Sequence, residues 1–561
     1  MSEPVIVYTH ATIHTMDANL TTVDAMAVAN GRIAALGDAA RALLARGARE
    51  VDLGGRTVLP GLIDAHIHHA QGGKKELFDF CVAPTASLDE ILQQIAMEAA
   101  ALPEGAWLTG GSVGSGLIDQ VNTAQALARL DEACAGHPVL LTDDSLHNRW
   151  ANSLALELAG VSQDTPDPAG GQICRDTQGR PTGWLVEAAG MMAEKAKERL
   201  DPFDLDKLIE SSARGVAECN AFGITGFQDA ATSMQIMQAV HQLDTAGQLN
   251  AWVVSSTPVE EFIFGYEPVG QPVIESMPDT ASEHHRPSYI KIFLDGVPPT
   301  RTAAFLEPYK GAAESDPCSH GKMTMSQDQL AGWLLRTAPL GVGAKIHCTG
   351  DASVRAVLDA VAQVRAAGFT GVGYQVAHGQ FIHPDDLPRF AQLDVSADIS
   401  PAIWYPGVIT ETFHEVLDEP RASQVQPNRL LLQHGARIAA GSDWPVAPSP
   451  NPWPAIYGLV TRKDPSDAFP GALWEEQAMT IAEALTAYTR AAAEACGLAD
   501  ATGSLEAGKS ADFTVLPIDP MAVPAEQLID VRPESTYFAG RLVYAANTTT
   551  GRGQRRQSTG A

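Results

Sequence analysis

Two histidines spaced i, i+2 close an apolar run, Leu59-Pro60-Gly61-Leu62-Ile63-Asp64-Ala65-His66-Ile67-His68. Side chains alternate along a β-strand, so His66 and His68 point to the same side. Two neutral imidazoles on one rigid strand are half of a zinc-type site. Four later apolar stretches carry groups of the same kind. Lys291 stands within Ile290-Lys291-Ile292-Phe293-Leu294, where a buried lysine must be paired or neutral. His347 ends Ala344-Lys345-Ile346-His347, His378 ends Val376-Ala377-His378, and Asp443 follows Ala439-Ala440-Gly441-Ser442. Singly, each has a structural reading: a hydrogen-bonded core histidine, a helix cap, a buried salt bridge. Jointly, in the order HxH, Lys, His, His, Asp, they suit a metal site, provided that the elements bearing them converge.

A (β/α)8 barrel supplies such convergence, because its strand ends meet on one face. Candidate strands fall at 61–68, 223–229, 250–256, 289–296, 343–350, 373–380, 395–401 and 438–445. Helical patterns fall at 204–222, 234–246, 327–339 and 352–367. This alternation over 59–500 predicts an α/β chain built on a TIM-like barrel. Residues 70–205 read as an insertion after the first barrel strand. The insertion has a helical pattern near 87–101 and a glycine-rich stretch at 110–116. That stretch lacks the spacing and the lysine of a phosphate loop and reads as an ordinary loop. Residues 1–58 and 501–547 are strand-rich, with Asn30-Gly31 between apolar runs as a hairpin signal. The two ends are predicted to fold together as one small β-sandwich domain. The tail at 548–561 is predicted to be disordered.

Hydrophobic residues make up 45% of the 561 and charged residues 19%, as in soluble globular proteins. Lys and Arg number 38 against 67 Asp and Glu, a net charge of −29. That balance speaks against nucleic acid and anionic membranes as partners, since both need clustered cations. No apolar run reaches membrane-spanning length, and no secretory leader is seen at the start. The seven cysteines show no Cys-x-x-Cys spacing. A cytoplasmic protein with reduced thiols is expected. Its expected partner is a small-molecule substrate, with a homodimer as the assembly.

The segments 59–68, 291–296, 300–304, 347–351, 376–380 and 441–445, with 147–153 in the insertion, resemble the amidohydrolase superfamily. Within it they are similar to the YtcJ-like group (amidohydrolase family 3) that includes N-substituted formamide deformylases. The resemblance implies that His66, His68 and Asp443 bind one divalent metal and that His347 and His378 bind a second. Lys291, as N6-carboxylysine, would bridge them, and two zinc ions per chain are the first expectation. It further implies hydrolysis of a non-peptide C–N bond by a metal-activated water, with Asp443 as the catalytic acid–base. An N-formyl or N-acyl amine is the expected substrate type. The alternatives are hydrolysis of an ester or ring amidine, and a non-catalytic barrel scaffold. His147 and Trp150 are candidates for lining the substrate pocket. His69 reads as structural, Asp64 as support for a ligand, Asp351 as a helix cap and Cys348 as a buried hydrophobe.

Overall fold

One long strand, Arg49–Pro60, carries the chain from a terminal sheet into a barrel. The computed structural model describes residues 4–83, 85–261, 268–313 and 319–546, so the tail expected at 548–561 lies outside the described residues. Asn30 and Gly31 take φ of 49° and 73°, the left-handed pair that closes a two-residue hairpin between Thr22–Ala29 and Arg32–Leu36. Ile6–His14 pairs parallel with Arg49–Pro60, which pairs antiparallel with Phe513–Leu516. The two ends therefore meet in one β-domain. Its strands are hydrogen-bonded as one seven-stranded sheet, in the order 541–545, 535–538, 513–516, 49–60, 6–14, 22–29 and 32–36, rather than as two separate ones. Gly61 marks the exit. A Cβ there would stand 1.9 Å from Thr225 Oγ1, so the chain can pass this close only as glycine.

Eight parallel strands follow: Leu62–Ile67, Ile224–Asp229, Trp252–Pro258, His285–Phe293, Gly343–Cys348, Tyr374–His378, Val395–Ile399 and Arg437–Ala440. Their order in the sheet is their order in the chain, as in a (β/α)8 barrel. Helices Leu205–Ala221, Met234–Thr245 and Gln327–Thr337 begin at Asp204, Ser233 and Ser326, whose side chains accept from the third helical N–H. Helix Asp351–Ala366 buries Val354, Val357, Leu358, Val361 and Val364, a stripe at helical spacing that joins the main apolar core.

The insertion builds a sheet of its own. Its six strands run in the order 171–175, 181–187, 149–151, 139–143, 108–113 and 80–81. Helix Leu88–Ala99 covers it, opened by a capping box between Ser87 and Glu90. The glycine-rich stretch is not simply a loop, since Gly110 and Gly111 lie inside strand Leu108–Val113. They stand at φ of 122° and 114°, and a Cβ on Gly110 would meet Phe80 O at 2.1 Å. Glycine serves here for close strand approach, a need that composition alone does not reveal. Trp150, expected to line the substrate pocket, is instead buried with Trp184, Ile91, Ile95 and Leu130 in the insertion's apolar core and does not line the site cleft.

Candidate metal centre

His66 lies in the first barrel strand, His68 just beyond it, and Asp443 just after the eighth. One ligand atom from each lies within 4.8 Å of the other two, and all three residues are buried. His66 Nε2 and His68 Nε2 stand 3.6 and 3.3 Å from Asp443 Oδ1. The backbone sets this arrangement. Asp443 N donates to His66 O at 2.7 Å. Asp64 accepts from His66 N at 3.0 Å and from Ser442 N at 3.0 and 3.1 Å. Gly441 leaves no space for a side chain, because a Cβ would sit 2.3 Å from His66 N. Asp64 thus clamps the seam at which the barrel closes, and burial pushes its carboxyl up to about 7.

Two further charged residues orient His66. Its Nδ1 bonds Asp398 Oδ2 at 2.8 Å, which directs Nε2 toward Asp443. The same Asp398 oxygen accepts from the Lys345 ammonium, which also donates to Ala65 O at 2.9 Å. A carboxylate behind a ligating histidine fixes its tautomer and raises its basicity. Sequence reasoning missed both residues. The available signal was a charged side chain in each of two apolar strands, with Lys345 two residues before His347 and so on the same side.

His378 lies 4.7 Å, ring centre to ring centre, from both His66 and His347. His347 Nε2 is 3.2 Å from Gly296 O, turned toward a carbonyl. Among the described residues only the His66, His68 and Asp443 trio therefore stands within mutual ligand distance. Lys291 is 1% exposed, in register with Lys345 on the neighbouring strand. Its Nζ lies 4.6 Å from the Phe293 ring centre. Burial, and then the Lys345 ammonium, pulls the Lys291 pKa down to about 7. Burial first, and then neighbouring positive groups, holds His66, His347 and His378 well below the usual imidazole range. All three are neutral at neutral pH and have lone pairs to offer.

His66 Nε2 and His378 Nδ1 are buried without a hydrogen-bond partner. Such orphaned groups are costly in a native core, and a ligated cation would satisfy them. Neutral imidazole nitrogens beside a carboxylate fit a zinc-type divalent ion. His378 and Asp443 also hold left-handed backbone, at φ of 70° and 56°. Strain of this kind gathers at functional sites.

A cleft of about 50 Å³ is lined by His147, His347, His378, Thr349, Gln380 and Asp443. His147 comes from the insertion. Its Nδ1 stands 2.8 Å from Glu187 Oε2 and its ring 5.2 Å from that of His347. Burial, the largest single influence, lowers its pKa, but the carboxylates of Glu187, Asp143 and Asp443 together leave it raised. His69 is fully buried, with Nδ1 2.5 Å from Asp229 Oδ2, in the structural role expected of it. Cys348 is buried as well. Asp351 does not cap its helix; it accepts from Leu306 N at 2.8 Å. Asp295 holds that helix start instead, accepting from Thr349 N, Gly350 N and Ser353 Oγ at 3.0, 3.0 and 2.8 Å.

The chain is similar to known proteins along nearly its whole length. Residues 49–544 match the profile of the amidohydrolase family. The chain is 29% identical over 548 residues to the N-substituted formamide deformylase of Arthrobacter pascens, covering 95% of this chain and 97% of that one. It is 28% identical over 555 residues to the protein LONG AFTER FAR-RED 3 of Arabidopsis thaliana, covering 96% and 91%. The crystal structure of an uncharacterized metal-dependent hydrolase from Pyrococcus horikoshii shares the fold, with a TM-score of 0.72 at 22% identity over 93% of this chain and 99% of that one. A match that starts in the strand leading into the barrel and ends in the last strand of the terminal sheet shows that the chain belongs to the amidohydrolase family.

Proposed function

We propose that this protein is a metal-dependent hydrolase that cleaves the C–N bond of an N-formyl or N-acyl amine. The observation that carries the reading is the buried trio His66, His68 and Asp443 at the barrel seam. The likeness to a formamide deformylase supports the bond type. His66, His68 and Asp443 would hold one divalent ion, with zinc favoured by the donor set. His347 and His378 would hold a second, joined to the first by Lys291 as N6-carboxylysine. Such ions, when bound, acidify a water and polarise a carbonyl.

The chain's own residues do the rest. Asp398 keeps the proton of His66 on Nδ1, so that Nε2 presents its lone pair. The Asp443 carboxylate takes a proton during attack and returns it to the leaving nitrogen. Lys291, with a pKa near 7, supplies the neutral amine that carbamate formation requires. Its conversion to an anion removes a positive charge from among the histidines. His147, steadied at Nδ1 by Glu187, orients the substrate at the cleft.

The test is elemental analysis of the purified protein together with a panel of N-formyl amines, N-acyl amines, esters and cyclic amidines. Amine release from the first two classes, abolished by chelation and restored by zinc, is the expected result. Full activity after exhaustive chelation, with no metal detected, would rule the reading out. Turnover confined to esters would move the reaction to a C–O bond.

A further inference from the structure

A second cavity, of about 430 Å³, lies back to back with the cleft. Thr142, Leu146 and Arg149 line it, whereas Asp143, Ser145, His147 and Asn148 line the cleft. Pro445 faces the larger cavity, whereas Asp443 and Val446 face the cleft. The two spaces share a wall and no lining residue. The larger volume falls in the usual range of small-molecule sites.

The charge of this cavity runs against that of the chain. Six basic and three acidic side chains line it, in a protein of net charge −29. The three acids are engaged. Asp79 accepts from Lys74 at 2.7 and 2.8 Å, Glu194 from Arg149 at 2.5 Å, and Glu198 from Phe203 N at 3.1 Å. Lys197 is only loosely paired. It is 8% exposed, Glu198 stands 4.0 Å away, and its Nζ lies 5.8 Å from the Phe203 ring centre. Lys75 Nζ donates to two neutral oxygens, Ser112 Oγ at 3.2 Å and Pro445 O at 3.3 Å. A buried ammonium whose nearest carboxylate is as far as 4.0 Å is costly, and a closer anionic ligand would reduce that cost. The remaining lining includes Leu140, Leu146, Leu208 and Ile236.

We propose that this cavity binds an organic carboxylate with an apolar body. The carboxylate sits on Lys197 and Lys75, and the body lies against Leu146, Leu208 and Ile236. The site is separate from the hydrolytic one, and its test reads binding rather than turnover. Octanoate, octylamine and inorganic phosphate are titrated calorimetrically into the purified full-length protein. Octanoate should bind saturably, more weakly at high salt, and at least about tenfold more tightly than octylamine or phosphate. Lys197→Met should weaken octanoate at least about tenfold, and Lys197→Arg should restore most of the affinity. Leu208→Trp narrows the cavity from a half-buried position without changing a charge, and should weaken octanoate to a similar degree. Thermal melts confirm that each variant folds. Phosphate binding as tight as octanoate would overturn the apolar-bodied ligand. Octanoate affinity unchanged in Lys197→Met and Leu208→Trp, as binding at the metal centre would leave it, would overturn the site.

Discussion

On the seam side of the barrel mouth, His66, His68 and Asp443 are placed by backbone hydrogen bonds and by the Asp64 clamp, and Asp398 sets the His66 tautomer. On the opposite side, His347 is turned to Gly296 O, His378 Nδ1 has no partner, and Lys291 lies beside a second lysine across the strand pair. The seam side is organised by the same bonds that close the barrel. The opposite side has its ligand types in place, with Asp295 Oδ1 3.6 Å from His347 Nε2 but already bonded to Thr349 N, and a further negative charge among them would draw them together. Carboxylation of Lys291 would supply it. The comparison therefore predicts two half-sites that respond differently to substitution.

The largest effect is expected at the seam. His66→Ala and His68→Ala should each lose most bound metal and bring turnover close to background, as read by elemental analysis beside amine release. Retention of metal in either variant would move the primary ligands to the opposite side. Lys291→Ala comes next. It should keep the seam ion, lose the second and most activity, and regain part of both with added short carboxylic acids that stand in for the carbamate. Loss of both ions together would show that the two sides are one unit.

Asp443→Asn keeps a ligand oxygen but cannot move a proton. Its kcat should fall at least about a hundredfold with the fold intact, and near-normal turnover would send the acid–base role to His147. The smallest effect is expected for Asp398→Asn, which leaves every ligand in place and disturbs only the support of His66. Metal affinity should weaken by about 10- to 100-fold, measured by competition with a chelator. A loss as large as that of His66→Ala would make Asp398 part of the ligand set.

Much of the barrel is legible without coordinates. Short buried strands that carry His66, His347 and His378 or run up to Asp443 could be located because each is an apolar run that meets a polar group near its end. Helices such as Asp351–Ala366 show a clear apolar stripe. The support of the site was harder to see. Asp398 and Lys345 look like isolated charges in their strands, and only folding shows that they neutralise each other at His66. Trp150 sits three residues after His147 in the same short motif, which gives both the same outlook in the sequence. His147 lies in the bend that precedes strand Arg149–Ala151 and faces the cleft, whereas Trp150 stands inside that strand and packs into the insertion's core.

The sequence by itself determined the repeating α/β order, the union of the two ends in one β-domain and the ligand types in their order along the chain. These depend on local periodicity, turn chemistry and residue identity, which are written in neighbouring positions. Only the tertiary structure decided which ligands meet, how Asp64 closes the seam, where His147 and Trp150 point, and that an electropositive cavity lies behind the cleft. Each of these depends on groups distant in the sequence being buried together, from 40 residues apart for His147 and Glu187 to 378 for Asp64 and Ser442. Desolvation then forces them to find partners, as Asp398 does with His66 and Lys345, or leaves them only loosely paired, as it does Lys197 with Glu198 at 4.0 Å.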